Sequence, residues 1–230
     1  MSYKHIFFDL DHTLWDADAN AAEALSDLYA KHALKEKGVH SLEEFISKYT
    51  EINEQFWDDY SKGKISKQAL RYQRFLLVLK HFSIKNYDLS YALSEDYIAI
   101  APNKTLVQPH THEVLDYLSA KYTLHIITNG FDDAQYSKLK ASKIEKHFNK
   151  VITAEKAGSK KPASPIFEYA LKQAKASHSE SIMIGDNLEV DIVGAREAGL
   201  DQVYYNLKST IHNEKVSYEI TSLIELKNIL

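Results

Sequence analysis

Two aspartates separated by one leucine, Asp9-Leu10-Asp11, end the short apolar run Lys4-His5-Ile6-Phe7-Phe8, and His12-Thr13 follow. A run with aromatic and β-branched residues that is too short for a buried helix reads as an interior strand of a parallel sheet. Open α/β sheets bind ligands beyond the carboxyl ends of their strands, which is where Asp9 and Asp11 fall. A side-chain period of two sends both carboxylates off the strand on one side. Unit charges a few Å apart repel by about 4 kcal/mol at an effective dielectric of about 20, so a positive group is needed near them. Mg²⁺ suits that place, because it prefers oxygen ligands, keeps several waters and leaves room for a phosphate. The alternative for an isolated Asp-x-Asp is a pair of solvated loop residues capping the next helix.

Three further stretches argue against that alternative. Thr128-Asn129-Gly130 closes the apolar run 122–127, Lys161 stands directly before Pro162, and Gly185-Asp186-Asn187 ends the run 181–184, with Asp191 about one helical turn later. Asn129-Gly130 is a turn signal, and Asp132 or Asp133 is placed to cap a helix running toward Ser142. The pattern predicts strands around 4–8, 122–128, 151–153, 181–184 and 202–205. Helices are predicted over 110–121, 164–176, 188–198 and 222–230. This β/α alternation describes an α/β fold, a doubly wound parallel sheet of Rossmann-like design, with the polar strand ends gathered along one edge.

Between Thr13 and about Ile100 the periodicity is helical, over a length far beyond a single crossover connection. It is therefore read as an inserted helical domain, 15–101, within an α/β core formed by 1–14 and 102–230. Its first helix is predicted from near Asp16 or Asp18 to Gly38. A second opens at the capping-box spacing Ser41-Leu42-Glu43-Glu44, a third runs from Ser66 to Lys80, and a fourth starts near Asp88. Asp16-Ala17-Asp18-Ala19-Asn20 alternates oxygen side chains like a calcium loop. The likeness fails at Ala21, where the loop needs glycine, and at Asp27, where it needs a bidentate glutamate.

Taken in order, Asp9-Leu10-Asp11-His12-Thr13, Thr128-Asn129-Gly130, Lys161-Pro162 and Gly185-Asp186-Asn187 through Asp191 resemble the four motifs of the haloacid-dehalogenase-like hydrolases. The resemblance implies Asp9 as nucleophile toward phosphorus and Asp11 as general acid and base. It implies Mg²⁺ held by the Asp9 carboxylate, the Asp11 backbone carbonyl and Asp186, with Asp191 completing or supporting that shell. Phosphate would be held by the Thr128 hydroxyl, by backbone amides at Asn129 and Gly130, and by Lys161. The second aspartate, absent from the dehalogenases that name the group, implies a phosphatase.

The helical insertion resembles a cap that closes over the site and contacts the leaving group. Trp15, Asp16, Arg71 and Arg74 are its candidate substrate residues. Thr128-Asn129-Gly130-Phe131 and Gln73-Arg74-Phe75 are similar to the branch of pyrimidine and noncanonical nucleoside 5'-monophosphate nucleotidases. The implied partner is a small phosphorylated metabolite such as a nucleotide, with a sugar phosphate as the alternative. A phospho-accepting signalling module also combines aspartates, a threonine and a lysine on such a sheet, but carries no helical cap. A degenerate binding protein is disfavoured because every motif position is filled.

The remaining composition narrows the reading. The 230 residues suffice for one α/β domain with an insertion, and a formal net charge of -4 gives no footprint for a nucleic acid polymer or an anionic membrane. Cysteine is absent, which excludes disulfides, thiol catalysis and zinc thiolates and agrees with a cytoplasmic location. The apolar start is interrupted by Asp9 before it reaches signal-peptide length, and no run approaches a membrane span. His110-Thr111-His112 does not share a helix face as an i, i+4 pair would, and reads as surface.

Overall fold

A computed structural model describes residues 3–230. The chain forms two compact units, one of residues up to Ala17 and from Thr105 to Leu230, the other of Asp18–Lys104. The α/β unit contains β1 (His5–Phe8), β2 (Thr123–Thr128), β3 (Phe148–Thr153), β4 (Ser181–Gly185), β5 (Asp201–Tyr205) and β6 (Tyr218–Ile220). All pairings are parallel, in the order β3-β2-β1-β4-β5-β6. The order reverses at β1, so the segment after Phe8 leaves the sheet at its topological switch point.

Period-two alternation divides the core between the two faces of this sheet. Ile6, Phe8, Ile126, Ile182 and Ile184 belong to one buried cluster, and Phe7, Ile127 and Met183 to the other. Because both faces are covered, the central strands are apolar at nearly every position, which is why they read so plainly in the sequence. β6 escaped that reading because Tyr218-Glu219-Ile220 is a three-residue strand with two exposed side chains.

The segments where the chain leaves and re-enters this unit are tied together by backbone pairing. Trp15 bridges to both Asp11 and Val107, Asp16 N–H donates to Leu106 O at 3.1 Å, and Gln108 N–H to Leu14 O at 2.8 Å. These bonds hold residues 15–16 and 106–108 with the sheet, and the compact units change over after Ala17 and after Lys104, three residues later at each crossing than the sequence pattern alone suggests.

The helical unit comprises α1 (Ala17–Lys31), α2 (Leu42–Ser61), α3 (Lys67–Tyr72), α4 (Arg74–His81) and α5 (Tyr87–Ile100). Leu25, Leu28, Phe45, Tyr49, Phe75, Val78, Leu79 and Leu93 form its core. The first helix stops at Lys31 rather than Gly38, because Ala33 turns left-handed and a 3₁₀ turn over Leu34–Lys37 ends at Gly38 with φ of 101°. Only glycine adopts that conformation without steric cost. The helix predicted over 66–80 is two helices, interrupted at Gln73 where ψ flattens to −18°. Ser41 and Ser66 cap α2 and α3 through their hydroxyls, and Asn86 caps α5 one residue before the helix proper. No helix among the described residues is long and apolar enough to cross a membrane.

Around the sheet lie α6 (Thr111–Ser119), α7 (Asp132–Ala141), α8 (Ala154–Ala157), α9 (Ser164–Ala174), α10 (Gly194–Glu197) and α11 (Leu226–Ile229). Neither Asp132 nor Asp133 caps α7. Phe131 occupies the cap position, and the Asp132 carboxylate accepts instead from the Thr153 hydroxyl. The segment predicted as one helix over 188–198 opens with a π turn, Leu188–Val193, before α10. The N–H groups of Asp191 and Ile192 both converge on Asn187 O, which widens that turn.

Candidate active site

Asp9 extends the β1 ladder by one bond, its N–H donating to Ile184 O at 2.9 Å, so its backbone is fixed by the sheet. Its carboxylate meets Lys161, which lies between α8 and α9 and is only 2 % exposed. Lys161 Nζ donates to Asp9 Oδ1 at 2.6 Å and to Asp191 Oδ1 at 2.5 Å. The lysine backbone is clasped by Asn129, whose Nδ2 donates to Lys161 O at 2.9 Å and whose Oδ1 accepts from Lys161 N at 2.8 Å. The Asn129 side chain thus sets where the lysine emerges.

Asp186 and Asp191 arrive from the other side of β1, at the end of β4. Thr13 Oγ1 donates to Asp186 Oδ1 at 2.8 Å, and Asn187 N–H to Asp191 Oδ2 at 3.1 Å. The π turn brings Asp191 back over Gly185, where a Cβ would stand 2.5 Å from three atoms of its side chain. Any residue but glycine at 185 would displace Asp191. π turns recur at functional sites because they reset the side chains that follow.

Carboxylate oxygens of Asp9, Asp186 and Asp191 lie within 4.8 Å of one another. Burial pushes the Asp9 carboxyl well above its ordinary range despite the opposing pull of Lys161, and Asp191, Asp186 and Asp11 add to the rise. Burial, then the charge of Asp191, lifts Asp186 to about 7. The lysine is displaced upward, because the two acids outweigh the burial that would neutralise it. A cluster of hard oxygen donors that resists full ionisation suits a small divalent cation, and the residues present fit Mg²⁺ better than any softer metal.

Asp11 sits apart from that cluster, among different partners. Lys138 Nζ donates to its Oδ1 at 2.6 Å and Gln135 Nε2 to its Oδ2 at 2.8 Å, both from α7. Burial acts to raise the Asp11 carboxyl, but the charge and hydrogen bond of Lys138, with the Gln135 bond, bring it below the ordinary range. Thr128 Oγ1 accepts from Gly130 N–H at 3.0 Å and from Gln135 Nε2 at 2.6 Å. With both acceptor sites taken, the hydroxyl hydrogen of Thr128 is left to donate elsewhere.

The α/β unit therefore brings together Asp9, Asp11, Thr128, Asn129, Gly130, Lys161, Asp186 and Asp191. Trp15 is buried under Lys138, whose ammonium lies 4.4 Å from the ring centre, and Asp16 is half-buried. Arg71 and Arg74 belong to the helical unit. Arg74, 5 % exposed, donates to Asn53 Oδ1 and lies 5.4 Å from the ring centres of Tyr49 and Tyr97, while Arg71 is half-exposed. Sequence reasoning missed the roles of Gln135, Lys138 and Thr13. The signal for the first was a glutamine four residues before the buried Leu139, a polar group on the inward face of a helix.

A family model of the haloacid dehalogenase-like hydrolases matches residues 6–204. The chain is 34 % identical to the pyrimidine 5'-nucleotidase PynA of Streptococcus pneumoniae, over 100 % of this chain and 98 % of PynA. It is 28 % identical to the pyrimidine 5'-nucleotidase YjjG of Escherichia coli, over 100 % of this chain and 99 % of YjjG. Among solved structures, magnesium-bound YfnB of Bacillus subtilis superposes with a TM-score of 0.88 at 26 % identity, covering 100 % of this chain and 99 % of YfnB.

Proposed function

Because the chain belongs to the haloacid dehalogenase-like hydrolases, we propose that it is a Mg²⁺-dependent phosphomonoesterase acting through an aspartyl-phosphate, with nucleoside 5'-monophosphates as its substrate class. The observation that carries the reading is the pair of aspartates two residues apart in opposite settings, Asp9 against Lys161 and the acid cluster, Asp11 against Lys138 and Gln135. Similarity to two pyrimidine 5'-nucleotidases supports the nucleotide class.

Asp9 Oδ forms a bond to phosphorus as the bond to the ester oxygen breaks, and the Asp11 carboxyl proton passes to that leaving oxygen. A water then attacks the phosphorus. One of its protons stays on the phosphate released and the other returns to Asp11, while Asp9 is regenerated as the carboxylate. Lys161 neutralises Asp9 and steadies phosphoryl charge, and the free hydrogen of Thr128 is directed to a phosphoryl oxygen. Mg²⁺, held by the carboxylates of Asp9 and Asp186 and the Asp11 carbonyl, would supply the positive charge that keeps the buried Asp9 carboxyl ionised and nucleophilic and that neutralises the phosphoryl oxygens. Trp15 and Asp16 are proposed as substrate residues.

The test is release of inorganic phosphate, with Mg²⁺ present, from a panel of pyrimidine and purine nucleoside 5'-monophosphates and sugar phosphates. Turnover led by the pyrimidine members supports the full reading. Turnover led by sugar phosphates leaves the phosphomonoesterase standing and overturns the nucleotide class. Folded protein that releases phosphate from no member defeats the proposal, and a lasting acyl phosphate without release would favour a phospho-accepting module.

A further inference from the structure

We propose that Gln135 and Lys138 are positioning residues that aim the Asp11 carboxyl at the leaving oxygen, an inference that rests on the phosphomonoesterase reading. Three and four positions apart on a helix are neighbours, so α7 presents both side chains on one face. Gln135 is fully buried, and its Nε2 reaches Asp11 Oδ2 and Thr128 Oγ1 together. Its Oε1 is buried with no partner among the described residues. A leucine or methionine would fill the same space without that unsatisfied acceptor. The position is therefore explained by what the amide aims at, and not by packing.

The loop after β2 is shaped around the same side chain. A Cβ on Gly130 would stand 2.1 Å from Gln135 Nε2 and 2.4 Å from its Cδ, so the glycine of Thr128-Asn129-Gly130 makes room for the glutamine. Lys138 is fixed twice, by Asp11 Oδ1 and by the face of Trp15, whose own backbone bridges to Asp11. Both carboxylate oxygens of Asp11 are thereby pinned by donors on one rigid element. As the bond from phosphorus to the ester oxygen breaks and the Asp11 proton moves to that oxygen, Lys138 faces the negative charge left on the carboxylate.

The experiment compares kcat/KM for p-nitrophenyl phosphate, whose phenolate leaves without a proton, and for a nucleoside 5'-monophosphate, whose alkoxide needs one. kcat/KM reports the step in which the leaving group departs. Lys138→Met should lower the nucleotide value by roughly 10- to 100-fold and the aryl value by less than about 3-fold, since general-acid assistance is worth about 10²- to 10⁴-fold where it is needed. Gln135→Met, which also releases Thr128, should lower both values, the nucleotide value by roughly 10-fold more. Lys138→Arg should recover part of the loss, and Lys138→Met should add nothing in an Asp11→Asn background. Equal losses on both esters, or additive losses in that background, overturn the proposal. If Gln135→Met does not fold, Lys138→Met, with its partly exposed side chain, decides alone. A folded wild type that cleaves neither ester defeats the phosphomonoesterase reading and this inference with it; one that cleaves both while the variants lose equally defeats only this inference.

Discussion

The two acid clusters beyond β1 differ in their charge balance. Around Asp9, three carboxylates share the single ammonium of Lys161, a formal surplus of two negative charges in a buried place. Around Asp11, one carboxylate faces one ammonium, with an amide on its second oxygen. The first cluster is electrically incomplete and suited to receive a divalent cation and the phosphoryl group. The second is balanced and holds its carboxyl in the ionised form, so what it would offer is orientation and, once Asp11 has taken up a proton, a strong acid for the leaving oxygen. Two residues of separation in sequence are enough to divide the roles, because Asp9 is still held by the sheet whereas Asp11 lies in the turn that His12 closes in a left-handed conformation (φ 63°).

The largest effect expected from this division is on turnover. Asp9→Asn should abolish phosphate release, a loss on the order of 10⁴-fold or more, because it removes the nucleophile itself. Circular dichroism should show the fold retained. Asp11→Asn should cost less on an aryl ester than on an alkyl one, and a variant at position 9 that keeps wild-type turnover would break the comparison outright.

Stability separates the lysines next. Lys161→Met leaves buried carboxylates without their ammonium and should cost about 3–5 kcal/mol in a denaturant titration. Lys138→Met removes a partly exposed partner and should cost about 1 kcal/mol. Equal costs would mean that the two clusters are not electrically different. The metal provides a smaller but cleaner contrast. Chelator should remove activity and Mg²⁺ restore it, and Asp186→Asn should raise the Mg²⁺ concentration needed by roughly 10- to 100-fold. Mg²⁺ should also raise the melting temperature of the wild type, and do so less in Asp186→Asn, by mass action on the folded state.

The sequence carried the first cluster far better than the second. Asp9 and Asp186 stand just past strands that are apolar because both sheet faces are buried, so their places follow from the pattern, whereas Lys161, directly before Pro162, and Asp191 were marked by the family resemblance. Gln135 and Lys138 carry no such mark. They lie within a helix whose buried residues are only Gln135 and Leu139, and nothing in residue type distinguishes an inward lysine from a solvated one. The π turn was equally hidden, since the bonds that widen it are made by backbone groups. The packing of Asp191 over Gly185 and of Gln135 over Gly130 was visible only as two glycines beside polar residues, which turn chemistry explains just as well.

Activity lost in acid reports on these clusters only if unfolding is kept apart from it, and β2 supplies the group that decides this. His125 is fully buried, stacked on Phe7, with Nδ1 lacking a partner among the described residues and Nε2 3.1 Å from His5 Nδ1. Burial, and then the neighbouring His5, push it down to about 3 from an ordinary 6.5. The folded state therefore binds this proton less readily than the unfolded state. The stability is complete above pH 6.5 and falls as pH drops toward 3, by about 1.4 kcal/mol per pH unit from this one residue. Urea midpoints measured from pH 7 to pH 4 should fall steeply in the wild type and more gently in His125→Leu. If the two curves stay parallel, His125 is not the source of the acid sensitivity. Other groups held below their ordinary range, Asp11, His5 and His147 among them, must then account for it, because Asp9 and Asp186 are pushed up and favour the folded state as pH falls.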